Sequence, residues 1–384
     1  MPDGARRTGA VFSGGGTGGH LYPALDLAEG LRALRPDVDP FFVGAGKGLE
    51  AEVLPQEGVP HLLLPVRGFS RDAWWANLGV LWRLLRSLLL TGQAFQRLRP
   101  GVVVVTGGYA GGPAGLMAGL MGIPLALQEQ NAYPGVTTRV LSRWSAQVHL
   151  AFPEARDRLP LRARGQARIS GNPIRVPPQL HPREARVRFQ LPPQASVILV
   201  VGGSQGARAL NQAMLEAVEG VSRGVLSLPR NTVFLWATGP GHLEDVQERL
   251  RELGSPDWVR ALGYIQDMPG ALRASTVAVS RAGAMTTSEL LAWGLPSILV
   301  PLPSAAADHQ TRNARSLEEA GAALHLPQEG LTGSRLWEAL LSVLDDPGTL
   351  ASMREAALRR GRPLATREIA RELERLLPAP EKVA

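Results

Sequence analysis

Short apolar runs rich in valine, isoleucine and leucine alternate along the chain with longer stretches whose apolar residues recur at helical spacing. GVVVVTGG, IPLALQEQ and AQVHLAF fall in the first half, and SVILVVGG, TVFLWATG, TVAVSRAG and PSILVPL in the second. Runs of this length predict buried strands, and their alternation with helical stretches predicts a parallel α/β architecture. Each half also opens in the same way. GAVFS, a short apolar run, leads into SGGGTGGH (13–20) and then YPALDLAEGLRAL, which has helical spacing and a proline expected in the first turn. SVILVVGGSQGARALNQAMLEAV repeats the order of strand, glycine turn and helix.

The expected fold class is therefore α/β, with two Rossmann-like domains in tandem. Open α/β sheets bind ligands beyond the C-terminal ends of their strands, so the two domains are expected to face a shared cleft. Prolines cluster and apolar periodicity lapses in SGNPIRVPPQLHPREAR (170–186). That sets an N-terminal domain over 1–174 and a C-terminal domain over 175–355. Beyond about residue 350 the chain reads as an exposed helix rich in Arg and Glu, TREIARELERLL. The segment 356–384 is expected to pack back on the N-terminal domain.

A chain of 384 residues is long enough for two cores. Its 45% hydrophobic and 20% charged content is ordinary for a globular protein. There is no cysteine, which excludes disulfides, thiolate nucleophiles and cysteine-bound metal and fits a reducing compartment. MPDGARRTGA lacks the apolar core of a signal peptide. The 41 Lys+Arg against 34 Asp+Glu give a net charge of +7, which favours an anionic partner such as phosphate groups or an acidic membrane surface. No recognition motif or aromatic-studded basic run points to nucleic acid.

A strand, a glycine turn and a helix aim free N–H groups and the positive end of the helix dipole at one point, which makes an anion site. Gly14, Gly16 and Gly19 fit the dinucleotide spacing G-x-G-x-x-G. A dinucleotide site also wants an acidic residue after the second strand, and the candidate strand PFFVGAGKG ends in glycines. A P-loop wants Lys and then Ser or Thr, where this chain has His20 and Leu21.

Four stretches carry candidate chemistry. His20 stands at the start of a helix beside the first glycine turn, as a polar surface residue or as a general base. TGGYAGGPAG (106–115) is a second strand-to-glycine turn, for tight helix packing or for a further anion contact. In Gly202-Gly203-Ser204-Gln205-Gly206 the amides and the Ser204 hydroxyl suit a diphosphate. In SRAGAMTTSELLAWGLP, Thr286 and Glu289 have the spacing of a capping box, while a carboxylate there can also accept the hydroxyls of a ribose.

Together GGGTGGH, GGYAGGPAG, QEQNAYPG, SGNPIR, GGSQGARALN, SRAGAMTTSELLAWGLPSILVP and ADHQTRNA, in that order, resemble the bacterial peptidoglycan glycosyltransferases that make lipid II. The resemblance implies a GT-B fold and a hexosyltransferase. Such an enzyme moves N-acetylglucosamine from its UDP donor to the C4 hydroxyl of undecaprenyl-pyrophosphoryl-N-acetylmuramyl-pentapeptide (lipid I), with inversion. It implies roles for named positions as well. Thr17, Gly18 and Gly19 approach the donor sugar and the acceptor, and Asn131 binds the N-acetylglucosamine. Arg175 and Ser204 hold the UDP phosphates, and Ile265 reads uracil through its backbone. Ala284, Met285, Thr286, Thr287, Ser288 and Glu289 line the nucleotide pocket with Glu289 on the ribose, and Gln310 contacts the sugar. Where some members have two adjacent glutamines, this chain has Gln310 then Thr311. Gly16, Gly108, Tyr109 and Gly111 are assigned to the acceptor's pyrophosphate, and His20 is the base that takes the C4 hydroxyl proton. Imidazole suits that task because it ordinarily titrates near neutrality.

No cofactor and no metal are expected. The string DVD (37–39) matches the D-x-D of metal-dependent glycosyltransferases, but it lies ahead of the second strand and reads as a solvated turn. The implied partners are UDP-N-acetylglucosamine, lipid I, an anionic membrane surface and other cell-wall synthesis and division proteins. The implied location is peripheral, on the cytoplasmic face of the plasma membrane. In DAWWANLGVLWRLLRSLLL (72–90), Trp74, Trp75, Trp82 and many leucines are interrupted by Arg83 and Arg86. Crossing a bilayer takes roughly 20 mostly apolar residues, and this run is too short and too charged. It reads either as a core helix of the first domain or as a surface that lies in lipid headgroups. The rival functions are a UDP-sugar epimerase, another lipid-directed glycosyltransferase and a non-catalytic UDP-sugar sensor. The sensor would not need His20.

Overall fold

The computed structural model describes residues 8–66, 78–175, 177 and 180–379. The chain divides into two compact units, one of Met1–Arg175 with Pro363–Ala384 and one of Val176–Arg362.

The first unit is a parallel sheet of β1 (Thr8–Gly14), β2 (Val38–Ala45), β3 (His61–Leu64), β4 (Val102–Gly107), β5 (Leu125–Glu129), β6 (Gln147–Leu150) and β7 (Ala167–Ile169). Their order in space is β3-β2-β1-β4-β5-β6-β7. Its helices are α1 (Gly18–Leu34), α2 (Leu49–Gln56), α3 (Leu78–Leu98), α4 (Gly111–Met121), α5 (Val136–Leu141) and the short α6 (Leu161–Arg164). The central strands are apolar on both faces because both are covered. Phe12 of β1 packs with Leu27 and Leu31 of α1, and Val11 packs on the opposite side with Phe95 of α3 and Ala114 of α4. Each such side chain contributes about 1.5–3 kcal/mol on burial.

The second unit repeats this plan with β8 (Ser196–Val201), β9 (Thr232–Ala237), β10 (Val259–Leu262), β11 (Val277–Ser280), β12 (Ser297–Leu299) and β13 (Ala323–His325). Their order is β10-β9-β8-β11-β12-β13, the same winding about the first strand. The helices are α7 (Pro182–Arg188), α8 (Arg208–Ser222), α9 (Leu243–Glu252), α10 (Met268–Ala274), α11 (Ala284–Ala292), α12 (His309–Glu319), α13 (Gly333–Leu344) and α14 (Pro347–Arg360). Phe234, Trp236 and Trp337 fill the core between the sheet and the helices α8 and α13.

The last helix, α15 (Ala365–Glu374), belongs to the first unit. Its Ile369, Ala370 and Leu373 join the core beside Leu27 and Leu31 of α1. The Thr366 hydroxyl donates to the Ile174 carbonyl at 3.1 Å, and Arg168 pairs with Glu372 at 2.5 Å. The preceding residues through Arg362 stay with the second unit.

Two local expectations are corrected. Residues 37–39 are not a solvated turn, because Val38 and Asp39 begin β2 and Val38 is buried. Asp37 accepts from Arg35 Nε and Nη2 at 2.8 and 2.7 Å, closing the link between α1 and β2. Pro23 is not in the first turn of α1. Thr17 is the N-cap in an extended conformation, and its carbonyl accepts from the amides of His20 and Leu21 at 3.1 and 3.2 Å. The helix therefore starts at Gly18, and Pro23 falls in its second turn.

Candidate active site

Starting α1 early places His20 in the first helical turn, above the end of β4. The backbone carbonyl of His20 accepts from the Thr106 hydroxyl at 2.7 Å. Its ring Nδ1 lies 3.0 Å from the Thr106 carbonyl and 2.9 Å from Gln130 Oε1. Nε2 has no hydrogen-bond partner among the described residues. Behind the ring is a buried group of amides. Gln130 Nε2 donates to the Thr106 carbonyl at 2.6 Å and also to Gln128 Oε1. Gln128 Nε2 donates to Asn172 Oδ1 at 2.8 Å, and Asn172 Nδ2 donates to the Gln130 carbonyl at 3.1 Å. Gln128, Gln130 and Asn172 are each 1% exposed.

A carboxylate lies under the first glycine turn. Glu50, near the start of α2 and fully buried, accepts from the Gly16 amide at 2.6 Å through Oε1, while its Oε2 has no hydrogen-bond partner. The Gly16 amide is thus turned inward. The second glycine turn is stacked against the first. Gly108 has φ +72°, and a side chain there would overlap the Gly15 carbonyl. Glycine is therefore required on two counts. The Tyr109 ring lies beside Gly16 and is 39% exposed. Burial first, and the Glu50 carboxylate second, push its phenol up. Gly111, the first residue of α4, is buried and leaves room for Val105.

Asn131 is held by Glu129, whose Oε1 accepts from the Asn131 amide at 3.1 Å. Glu129 Oε2 accepts from the Gly135 amide and the Thr138 hydroxyl at 3.0 and 2.6 Å, closing the loop after β5. Arg175, exposed at the end of the first unit, acts on Asp26 of α1. Burial raises the Asp26 carboxyl to about 6, with Arg175 opposing the rise and Glu29 adding to it.

The second unit carries a cavity of about 760 Å³ beside its glycine turn. Gly202, Gly203 and Gly206, the first residues of α8, Gly283 and Thr286 at the start of α11, and Gln310 of α12 line it. Ser204 is exposed on the turn. Gln310 Oε1 accepts from the Leu302 amide at 2.9 Å, so its NH2 group is left for a ligand. Ile265 is buried in the segment before α10, outside the cavity lining.

The capping box does not form. Gly283 is the N-cap of α11, so Thr286 sits inside the first turn and Glu289 a turn further on. Thr287 is buried, with its hydroxyl donating to the carbonyls of Gly283 and Ala284 at 3.0 Å, and Ala284, Met285, Ser288 and Glu289 are half-buried. Arg281 lines the same cavity and was not singled out from the sequence. Its Nη1 donates to the carbonyls of Val300 and Pro301 at 3.0 Å, and burial lowers its basicity. Glu50, Glu129, Gln128, Gln130 and Asn172 also had no assigned role.

Helix α3 has an inverted pattern. Leu81, Trp82, Leu85 and Leu89 are exposed, Trp82 to 71% and Leu89 to 68%, with Arg83 and Arg86 beside them. Ser87 and Thr91 are buried instead, with their hydroxyls donating to the helix's own carbonyls at Arg83 and Ser87 at 2.7 Å. Trp74 and Trp75 lie outside the described residues. Among the described residues no helix is long and apolar enough to cross a membrane, and no cluster of three His, Asp or Glu side chains has metal-binding geometry.

Comparison with known proteins gives the fold and the geometry a lineage. Residues 10–150 match the glycosyltransferase family 28 N-terminal domain and residues 197–369 the family 28 C-terminal domain. The chain is 40% identical over 372 residues to the UDP-N-acetylglucosamine--N-acetylmuramyl-(pentapeptide) pyrophosphoryl-undecaprenol N-acetylglucosamine transferase of Desulforudis audaxviator, covering 95% of this chain and 98% of that one. A protein of the same name from Salinibacter ruber is 41% identical over 364 residues, covering 94% and 95%. The crystal structure of Acinetobacter baumannii MurG superposes with a TM-score of 0.79 at 26% identity, over 96% of this chain and 99% of that one. A putative UDP-N-acetylglucosamine 2-epimerase from Listeria monocytogenes shares the fold alone, at 16% identity and a TM-score of 0.63 over 96% of each chain. Two parallel Rossmann-like sheets, two matched family domains and near-full-length likeness to the named transferases place this chain in glycosyltransferase family 28, among the UDP-N-acetylglucosamine--N-acetylmuramyl-(pentapeptide) pyrophosphoryl-undecaprenol N-acetylglucosamine transferases.

Proposed function

We propose that this glycosyltransferase transfers N-acetylglucosamine from UDP-N-acetylglucosamine to the C4 hydroxyl of lipid I, giving lipid II and UDP. The observation that carries the mechanism is His20, anchored through Nδ1 and without a protein partner at Nε2 among the described residues. Nε2 takes the proton of the C4 hydroxyl, and the oxygen attacks the anomeric carbon. The bond from that carbon to the UDP oxygen breaks, and the configuration inverts from α to β. The leaving diphosphate gains charge as the bond breaks. Amides of the turn 202–206, the start of α8, Ser204, Arg175 and Arg281 supply the compensating positive field. Glu289 takes the ribose hydroxyls, the backbone at Ile265 reads uracil, and Asn131 and Gln310 hold the sugar. Gly19, with almost nothing near where a side chain would begin, leaves room for the acceptor and donor sugar over the first turn beside Thr17 and Gly18, and Gly108 and Tyr109 flank it.

The exposed apolar face of α3 is where the protein meets the membrane that holds its acceptor. Leucine and tryptophan outward, serine and threonine inward and two arginines alongside suit a helix lying at the level of anionic headgroups. On this reading the enzyme is peripheral, at the cytoplasmic face. Incubation with UDP-N-acetylglucosamine and a short-chain lipid I analogue is expected to give the lipid-linked disaccharide and UDP in equal amounts. Absence of both overturns the assignment. Replacing Trp82 with Ser and Arg83 and Arg86 with Gln should lower binding to anionic vesicles and spare transfer to the short-chain acceptor. Unchanged vesicle binding would remove α3 from the membrane contact.

A further inference from the structure

The imidazole of His20 can act as a base only where a ring nitrogen keeps its lone pair, and the tautomer decides which one that is. We infer that Gln130, oriented by Gln128 and Asn172, is a positioning residue that fixes His20 in the Nδ1–H tautomer and so leaves the Nε2 lone pair facing the acceptor. This rests on the reading of His20 as the base.

Each amide in the chain has only one workable orientation. The Asn172 NH2 group faces the Gln130 carbonyl, so Asn172 Oδ1 faces Gln128. Gln128 must then present its NH2 group to Asn172 and its Oε1 to Gln130. The Gln130 NH2 group is surrounded by three oxygens, the carbonyls of Thr106 and Gln128 and Gln128 Oε1. Flipping it would set oxygen against oxygen at a site 1% exposed, where an unpaired acceptor costs about 1–3 kcal/mol. Gln130 Oε1 therefore points at His20 Nδ1, at 2.9 Å, and the Thr106 carbonyl stands on the same nitrogen at 3.0 Å. Two acceptors on one ring nitrogen require that nitrogen to carry the hydrogen.

When Nε2 receives the acceptor's proton, the same two oxygens face an imidazolium. Both hydrogen bonds become charge-assisted, so the relay also favours the state formed during the reaction. The partner is an amide rather than a carboxylate, so the group carries no net charge in the resting state. Asn172 lies three residues before Arg175, the last residue of the first unit, which ties the orientation of the base to the stretch where the chain leaves that unit.

The test uses the full-length protein with ¹⁵N-labelled histidine, the His20 signals being assigned by their loss in His20→Ala. In the parent, Nε2 should show the resonance of an unprotonated ring nitrogen. In Gln130→Leu that signature should diminish and kcat should fall on the order of 10- to 100-fold, the usual effect of removing an orienting partner from a working imidazole, with UDP affinity held. Asn172→Ala removes the orienting amide at the far end of the chain, leaves Gln130 itself in place, and serves if the leucine variant melts early. It should diminish the Nε2 signature in the same direction by a smaller amount, with a smaller fall in kcat. An altered resonance with unchanged kcat supports the relay and removes His20 as the base. A lowered kcat with the Nε2 resonance unmoved overturns the relay, as does a leucine variant matching the parent in both.

Discussion

Both units begin with a strand, a glycine turn and a helix, and both turns are packed from behind, since Gly206 lies against the Thr238 carbonyl as Gly108 lies against that of Gly15, yet the first carries an anchored side chain and the second a cavity. Glu50 takes the Gly16 amide, Gly108 lies on Gly15, and an oriented chain of amides ends on His20. Gly203 has no atom within 4 Å of where a side chain would begin, and a cavity of about 760 Å³ lies beside it. One local motif thus serves two tasks. In both units glycines let protein approach protein; in the first this fixes a reactive side chain, and in the second it leaves Gly203 bare beside the cavity. Glycine content alone does not separate these uses, but what stands on the outer side of the turn does.

The largest effect should come from the turn that carries His20. His20→Ala should lower kcat by about 10²–10⁴ with UDP affinity nearly unchanged. Equal losses in both would mean that the two turns do not divide chemistry from binding. Alanine at Gly108, which is stacked on the first turn, and at Gly203 in the turn of the second unit sharpens the contrast. Gly108→Ala meets the Gly15 carbonyl at positive φ and should cost about 3 kcal/mol or more, while Gly203→Ala meets only the positive φ of +96° and should cost about 1–2. Chemical denaturation of the two variants decides, and equal costs would refute the contrast between a packed glycine and a bare one.

Glu289→Gln should weaken UDP and UDP-N-acetylglucosamine together, roughly 10- to 100-fold, as expected for a lost charge-assisted hydrogen bond. Glu289 closes no capping box, so the loss is expected in nucleotide affinity. Affinity that holds while the protein melts earlier would return the residue to a structural role.

The smallest effect concerns acid. His149 of β6 is buried between Ser170 and Gln147, and burial first, then Arg168, lowers its pKa to about 4 from 6.5. The unfolded chain therefore takes up a proton below about pH 6.5 that the folded chain refuses. Its contribution is fully present above that pH and is lost as pH falls toward 4, amounting to about 2 kcal/mol between pH 7 and pH 5. His325 in the second unit is shifted the same way by burial, with Glu318 opposing. In the first unit Asp26, raised to about 6, takes up a proton in the folded chain over the same range and offsets part of this loss, so His149→Gln should make the protein lose less stability between pH 7 and pH 5. An unchanged slope would place the sensitivity elsewhere.

The strands legible in the sequence are central ones, where burial on both faces leaves an unbroken apolar run. The four that no run announced, His61–Leu64, Ala167–Ile169, Val259–Leu262 and Ala323–His325, are the outer strands of the two sheets. An edge strand is short and partly exposed, so its composition carries little signal. The glycine turns and the position of His20 were also legible, because a chain interval of a few residues contains them. The start of α1 was misplaced because a proline suggested a first turn while Thr17 supplied the cap. The relay on His20 was hidden for another reason. Its members come from residues 20, 106, 128, 130 and 172 and meet only once the sheet has formed. Arg281 was passed over beside the glycines of its own motif. A polar residue ending a buried strand and followed by Ala-Gly was the available hint.

The return of α15 to the first unit has a consequence for synthesis. The ribosome makes the strand, turn and helix that carry His20 early, then the whole second unit, and only afterwards the segment bearing Ile369, Ala370 and Leu373. At ~5–20 residues per second the time from completion of α1 to synthesis of α15 is roughly fifteen to seventy seconds, during which the back of α1 is uncovered. A nascent or prematurely terminated chain thus has an unfinished base-bearing helix and an exposed apolar groove, the kind of surface that chaperones and proteases act on. The active site is completed from the far end of the message, and truncated products are marked for removal by the same interval that delays the intact ones.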